Sequence, residues 1–369
     1  MRQLKLGVIG LGKMGTLHLR NCRFIPNTTV VSVADMSKRN LEKAKKVGVK
    51  ETYSNYEELI AKSDVDAVIV TLPNSLHKEC VYAAAEVGKH AFVEKPLALS
   101  SKDCRELGSK VSKCGVHLMV DHNYRFFDSV QKLRRLYDEG AVGDVEIVTL
   151  ELILNGPFAP SFNPVPVSEW YFDKRELGMG CLDSGVHLID LFQWFFGEPS
   201  VVFANLGYRF NLPYEDSAIV VLHSNKQRAR GVMNVGWFSK MMFPKFNFRL
   251  IMHGTNGFLS TDYFAPKNLY LHAAKEAARN TFRRMLGLDI HPLTYTYYYY
   301  SYYEALRRFC EAIEKDEEPE IGVEDATIVM RTIERIYEHS SQSEGTTWIE
   351  KETASPLLLS LTHSKNGKI

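Results

Sequence analysis

The stretch "KLGVIGLGKMGTLHLRNCRF", residues 5–24, limits the fold more than any other part of this chain: an apolar run, then Gly10, Gly12 and Gly15, then helix-forming residues. Glycine-rich turns of this kind also occur without a ligand, so the spacing by itself is weak. Context strengthens it. A second apolar run, "TVVSVAD", ends in Asp35, twenty residues past Gly15, which is the separation of a dinucleotide-binding fingerprint in a βαβ unit. In that unit Gly10 permits the tight turn, Gly12 lets backbone N–H groups approach a pyrophosphate, and Gly15 lets helix and strand pack closely; Lys13 and Met14 lie with them at the helix start. Asp35 would accept hydrogen bonds from ribose hydroxyls and repel a 2′-phosphate, which favours NAD, while Lys38 and Arg39 are near enough to accommodate that phosphate and keep NADP open.

The alternation of short β-branched runs with amphipathic segments continues through "DAVIVTL", "HAFVEK" and "HLMVDH", which predicts one doubly wound parallel α/β domain over residues 1–123. After "NYRFFD" the pattern changes to a helix over 129–139, a Pro-rich loop over 155–166, a helix over 184–196 and then consecutive strands, "SVVFANLGYRF", "DSAIVVLHS", "RARGVMNVGWF" and "KFNFRLIMHG". Residues 124–350 therefore read as an α+β domain with a large, open, mainly antiparallel sheet, and 351–369 as a tail without amphipathic period. The tyrosine-rich segment from 295 and the stretch "VEDATIVMRTIERIYEHS" have helical spacing and should pack on that sheet or near the domain junction.

With 45 Lys plus Arg against 44 Asp plus Glu, the chain has no basic footprint for nucleic acid or an anionic membrane, so a small molecule is the expected partner. The six cysteines include no CxxC pair, the start of the chain has no signal-peptide core, and no run approaches a membrane span; these features together predict a reduced, cytoplasmic protein.

Three places carry candidate chemistry. "TLPNSLH" puts Thr71, Pro73, Asn74 and His77 at the carboxyl end of a strand, where loops line the ligand crevice; Asn74 also reads as a helix N-cap and His77 as a surface first-turn histidine. "FVEKPLALS" puts Glu94, Lys95 and Pro96 at the same rim, where an ammonium can stabilise an alkoxide as a hydride leaves, and the Lys95–Pro96 bond can be cis. In "GMGCLDSGVHLIDLFQWFFG", Asp183, His187 and Asp190 share one helical face. That trio reads in three ways: a core histidine between carboxylates, a general base His187 oriented by Asp183, or, less favoured for want of further ligands, a divalent-metal site.

Together, "GVIGLGKMG", "TLPNSLH", "EKPLALS", "VDHNYRFF", "GAVGDV", "GMGCLDSGVHLIDLFQWFFG", "YEDSA" and "HGTNGFL" resemble, in order, the glucose-fructose oxidoreductase/inositol dehydrogenase (Gfo/Idh/MocA) family. The resemblance implies an N-terminal Rossmann domain, a second domain whose open sheet forms homodimers or homotetramers, and NAD(P)-dependent redox at a carbohydrate or polyol hydroxyl. It makes Lys95 similar to the family's active-site lysine, and Asp183 and His187 to its aspartate and catalytic histidine. Asn123 and Arg125 match positions bordering nicotinamide and substrate, Trp170 resembles a tryptophan near the carboxamide, and Tyr171 stands beside the substrate where many relatives have arginine. Gly178-Met179-Gly180 replaces a triple glycine.

The leading expectation is a dehydrogenase of a secondary ring hydroxyl in a sugar, nucleotide sugar or inositol-like polyol, or the reverse reduction. An NAD-dependent, redox-neutral glycosidase and a non-catalytic dinucleotide or sugar sensor are the alternatives. For a nucleotide sugar, Lys275, Arg279, Arg283 and Arg284, or Lys240, Lys245 and Arg249, are candidate diphosphate contacts, although a solvated basic face explains each as well.

Overall fold

The computed structural model describes residues 3–158, 168–238, 246–288, 290 and 297–343. Six strands, β1 (Leu4–Ile9), β2 (Thr28–Ala34), β3 (Glu51–Tyr53), β4 (Ala67–Val70), β5 (His90–Val93) and β6 (Leu118–Val120), form a sheet of order β3-β2-β1-β4-β5-β6. Every pairing in it is parallel. Strands that are buried on both faces read as unbroken apolar runs, and β4, "AVIV", is buried throughout. The helices α1 (Lys13–Asn21), α2 (Lys38–Lys46), α3 (Tyr56–Lys62), α4 (His77–Glu86) and α5 (Ser101–Cys114) make the crossovers. Chain direction across the sheet reverses between β1 and β4, so a crevice opens beyond their carboxyl ends. The three-residue β3 is an edge strand too short to carry a periodic signal.

Helix α6 (Asp128–Asp138) leads into β7 (Val145–Leu154), and the short α7 (Lys174–Leu177) precedes α8 (Leu182–Phe196). The strands β8 (Pro199–Gly207), β9 (Ser217–Ser224), β10 (Arg230–Trp237), β11 (Phe246–Gly254) and β12 (Gly257–Ser260) join β7 in a second sheet of order β12-β11-β7-β10-β9-β8. All its pairings are antiparallel except β10 on β7. Helix α8, buried along almost its whole length, covers one face of this sheet. The opposite face carries Ile147, Val202, Phe203, Ile219 and Phe258, all exposed.

Three further helices follow: α9 (Leu269–Met285), α10 (Tyr300–Lys315) and α11 (Val323–Ser343). The tyrosine-rich helix α10 turns back onto α1 and β5 rather than the second sheet, with Tyr303 donating to the Phe24 carbonyl. Helix α11 packs on both α5 and β8 and so joins the two halves. The 351–369 tail, Lys240, Lys245 and most of the Pro-rich loop lie outside the described residues. Among those described, no helix is long and apolar enough to cross a membrane, and the six cysteines are unpaired.

Candidate active site

The glycine turn has the geometry its spacing predicts. Gly10 has φ +86°, and a Cβ on Gly15 would sit 1.8 Å from the Gly10 carbonyl oxygen, so both positions exclude side chains. Gly12, the N-cap of α1, faces open space with no side-chain cap, leaving the first helical N–H groups unclaimed by a cap. An uncapped helix start in front of an open cradle fits the pyrophosphate of a dinucleotide. Asp35 accepts from the Leu11 N–H (2.6 Å) and the Ser37 N–H (2.7 Å), which ties the β2 end to the cradle. Thr71 supports the same turn from β4 by donating to the Gly10 carbonyl (2.7 Å). Lys13 is exposed and Met14 half-buried at the start of α1.

At the β5 end, Lys95 Nζ donates to Asp183 Oδ2 (2.7 Å) and to the Asp183 carbonyl (3.0 Å), and the Lys95–Pro96 peptide is cis. The other Asp183 oxygen accepts from Asn74 Nδ2 (2.9 Å), whose second hydrogen goes to the Leu177 carbonyl (2.9 Å). One carboxylate thus joins the crevice rim of the first domain to the start of α8. Tyr171 faces the same group: burial, with the charges of Asp183 and Glu94, pushes its phenol pKa up. Trp170 packs against Tyr171 at a centroid distance of 4.3 Å.

His187, one turn further along α8, is 6% exposed, and its ring stacks on Tyr124 (4.0 Å, 7°) with His122 edge-on. Its Nδ1 is buried without a hydrogen-bond partner among the described residues. Burial, then the charges of Lys95 and His122, hold its pKa well below the usual histidine value, so the imidazole is neutral and able to accept a proton at neutral pH. The start of α8 is held from β9 and its approach: Glu215 accepts from the Gly180 (2.8 Å) and Leu182 (3.1 Å) N–H groups and from Tyr337 Oη. A Cβ on Gly180 would come within 1.8 Å of the Glu215 carbonyl oxygen, which explains the second glycine of "GMG".

Several expectations are corrected. Asp183 bonds Lys95 and Asn74, not His187, whose orientation comes from stacking. Asp190 is claimed by Arg125 (2.8 and 2.6 Å), and among the described residues Asp183, His187 and Asp190 do not converge as metal donors. Arg125 is 2% exposed and also bonds Asp325 (2.6 Å), so it ties α8 to α11 instead of meeting substrate. Asn123 is fully buried and donates to Ser301 (2.7 Å). His77 is no surface residue; it is buried with its ring nitrogens at the Pro96 (2.7 Å) and Leu72 (2.9 Å) carbonyls, behind the crevice wall. Arg249 pairs with Asp262 and Arg279 with Glu276, both at the surface. Glu215 in "YEDSA" and Tyr124 in "VDHNYRFF" carry no local signal of these roles, because their capping and stacking partners are remote in sequence.

Arg125→Leu should lower the unfolding free energy by about 3 kcal/mol, because it strands the buried Asp190 carboxylate. Urea titration reads this, and an unchanged midpoint would refute the structural role.

A family model described as "Oxidoreductase family, NAD-binding Rossmann fold" matches residues 4–122, and the GFO/IDH/MocA C-terminal domain model matches 130–260. The chain belongs to the GFO/IDH/MocA family. It is an NAD(P)-dependent oxidoreductase acting on CH–OH groups, with an NAD-binding Rossmann domain. Among relatives, it is 28% identical over 337 residues to myo-inositol 2-dehydrogenase of Thermotoga maritima, covering 89% of this chain and 93% of that one. It is 38% identical over 144 residues to inositol 2-dehydrogenase of Klebsiella pneumoniae, covering 38% and 43%. The fold is that of a scyllo-inositol dehydrogenase from Lactobacillus casei solved with NAD(H) and scyllo-inositol, at TM-score 0.73 and 20% identity, covering 92% and 98%.

Proposed function

We propose that this family member oxidises a secondary ring hydroxyl of a sugar, nucleotide sugar or inositol-like polyol, or reduces the corresponding ketone. The observation that carries the reading is the Lys95–Asp183 pair at the crevice rim with the neutral His187 one helical turn beyond. His187 takes the hydroxyl proton, and Lys95, held in position by Asp183 and Asn74, steadies the developing oxyanion. Residues at the glycine cradle and Asp35 would hold NAD, which supplies a hydride acceptor when bound. The inositol dehydrogenases among the relatives support a cyclic polyol or sugar as substrate.

Near-ultraviolet absorbance of reduced nicotinamide, recorded as the protein and NAD meet inositols, sugars and nucleotide sugars, tests the reading. A rise with one class identifies the substrate. Sugar release without net NADH would replace the reading with the redox-neutral glycosidase, and NAD binding without turnover in either direction would favour a sensor.

The exposed apolar face of the second sheet supports self-association through Val202, Phe203 and Ile219. Light scattering should give a dimer or tetramer, and Phe203→Glu should dissociate it; a monomeric wild type would sink the idea.

A further inference from the structure

Behind Lys95 lies a group of titratable side chains that the proposed chemistry does not use. His18 projects from α1, Glu94 follows β5 and Asp121 follows β6. The backbone N–H of Glu94 pairs with Val70 and that of Asp121 with Val93, so both carboxyl groups stand at the carboxyl ends of the central strands, on the edge that faces the crevice. His18 Nε2 meets Glu94 Oε1 at 3.1 Å, and Asp121 Oδ2 lies 3.5 Å from the same nitrogen. The His18 and Asp121 side chains are fully buried; Glu94 is 10% exposed and is the member that touches open space. Among the described residues, neither Asp121 oxygen nor His18 Nδ1 has a hydrogen-bond partner.

A fully buried carboxylate with no donor is costly when ionised, and one protein-bound proton relieves that cost. Burial works against charge on His18, but the attraction of the Asp121 and Glu94 carboxylates prevails and raises its pKa to about 9. Burial and the Glu94 charge push the Asp121 carboxyl well above the usual carboxylate range, with His18 and Lys95 opposing. The other titratable groups around the three are Lys95 beside Glu94, His77 from α4, Tyr171 and, from α10, Tyr302, whose ring centroid is 6.1 Å from that of His18.

We propose that His18, Glu94 and Asp121 form a proton-holding cluster whose charge follows that of the nicotinamide ring: Asp121 is ionised against the oxidised, cationic ring and protonated against the reduced, neutral one. This rests on the reading of the crevice as the nicotinamide site. Oxidation of CH–OH sends a hydride to the ring and cancels its positive charge, while the hydroxyl proton is released; the cluster takes up one proton from that pool. Reduced and oxidised cofactor thereby bind to differently protonated forms of the same buried group. These residues are positioning residues, acting through local charge without touching the reacting atoms.

The test uses the substrate-free protein. NADH affinity is read by fluorescence, NAD affinity by calorimetry, from pH 5.5 to 8.5. If reduction raises the Asp121 midpoint by about one pH unit, the ratio Kd(NAD)/Kd(NADH) is about tenfold higher at the acid end than at the alkaline end. Calorimetry at pH 7 in two buffers of different ionisation enthalpy should show more proton uptake with NADH than with NAD. Asp121→Asn should flatten the ratio, which separates the cluster from titration of His187. Equal proton uptake for both cofactors in the wild type overturns the inference even if the variant does not fold, and leaves the proposed function standing. Failure to bind either cofactor overturns both. Zinc or another divalent ion retained by the cluster would also overturn it, because the three donors, all within 4.8 Å of one another, would then be committed to the ion.

Discussion

His187→Ala should cut turnover by roughly 10³- to 10⁴-fold, the range in which a positioned general base contributes, with NAD affinity unchanged within about twofold. Removing the ring takes away the proton acceptor and leaves the glycine cradle, Asp35 and Thr71 untouched, because none of them contacts α8 through His187. The pH profile supplies a second readout. Burial, Lys95 and His122 depress the His187 pKa below the ordinary histidine value, so the neutral, proton-accepting form persists into mild acid. The acid limb of kcat/KM assigned to this base should therefore fall below about pH 6.5, and it should vanish in the variant. A limb at or above the ordinary histidine value, or a variant that retains a tenth of wild-type turnover, would remove His187 from the role.

Lys95→Met should lower kcat by about 10³-fold, the loss expected when a preorganised donor to a developing oxyanion is removed. The same change strips the cation from Asp183, whose side chain is 4% exposed, and leaves Asn74 as its remaining side-chain donor. A loss of stability accompanies the loss of rate, of the order of 3 kcal/mol for a broken buried pair. Lys95→Arg separates the two effects: it keeps the charge and the pair with Asp183 while displacing the donor from the reacting oxygen. Recovery of the urea midpoint without recovery of kcat supports direct contact with the reacting oxygen. Recovery of both by arginine would reduce Lys95 to a structural ion pair.

How legible the molecule was depended on whether the relevant physics is local. The glycine turn followed by Asp35 is legible because a strand, a positive φ at Gly10, a close packing at Gly15 and the next strand end all fall within one βαβ unit. The buried parallel strands are legible for the same reason, as short β-branched runs. The second sheet could be read as strands but not as an order, since β7 pairs in parallel with β10 across many intervening residues. At the site, Lys95, Asp183 and His187 stood out as residue types at strand and helix ends. Their partners did not, and Arg125 and Asn123 looked like ligand contacts until burial and α8, α10 and α11 claimed them.

The sequence by itself determined the doubly wound first domain, the dinucleotide cradle and the positions of the lysine, aspartate and histidine, because each is encoded in spacing within a single element or turn. Only the tertiary structure decided that Asp183 serves Lys95 rather than His187, that Tyr124 orients the imidazole, and that His18, Glu94 and Asp121 meet behind the rim. A hydrogen bond or a stacked ring needs two groups within a few ångströms, and which groups come that close is set by packing between elements far apart in the chain.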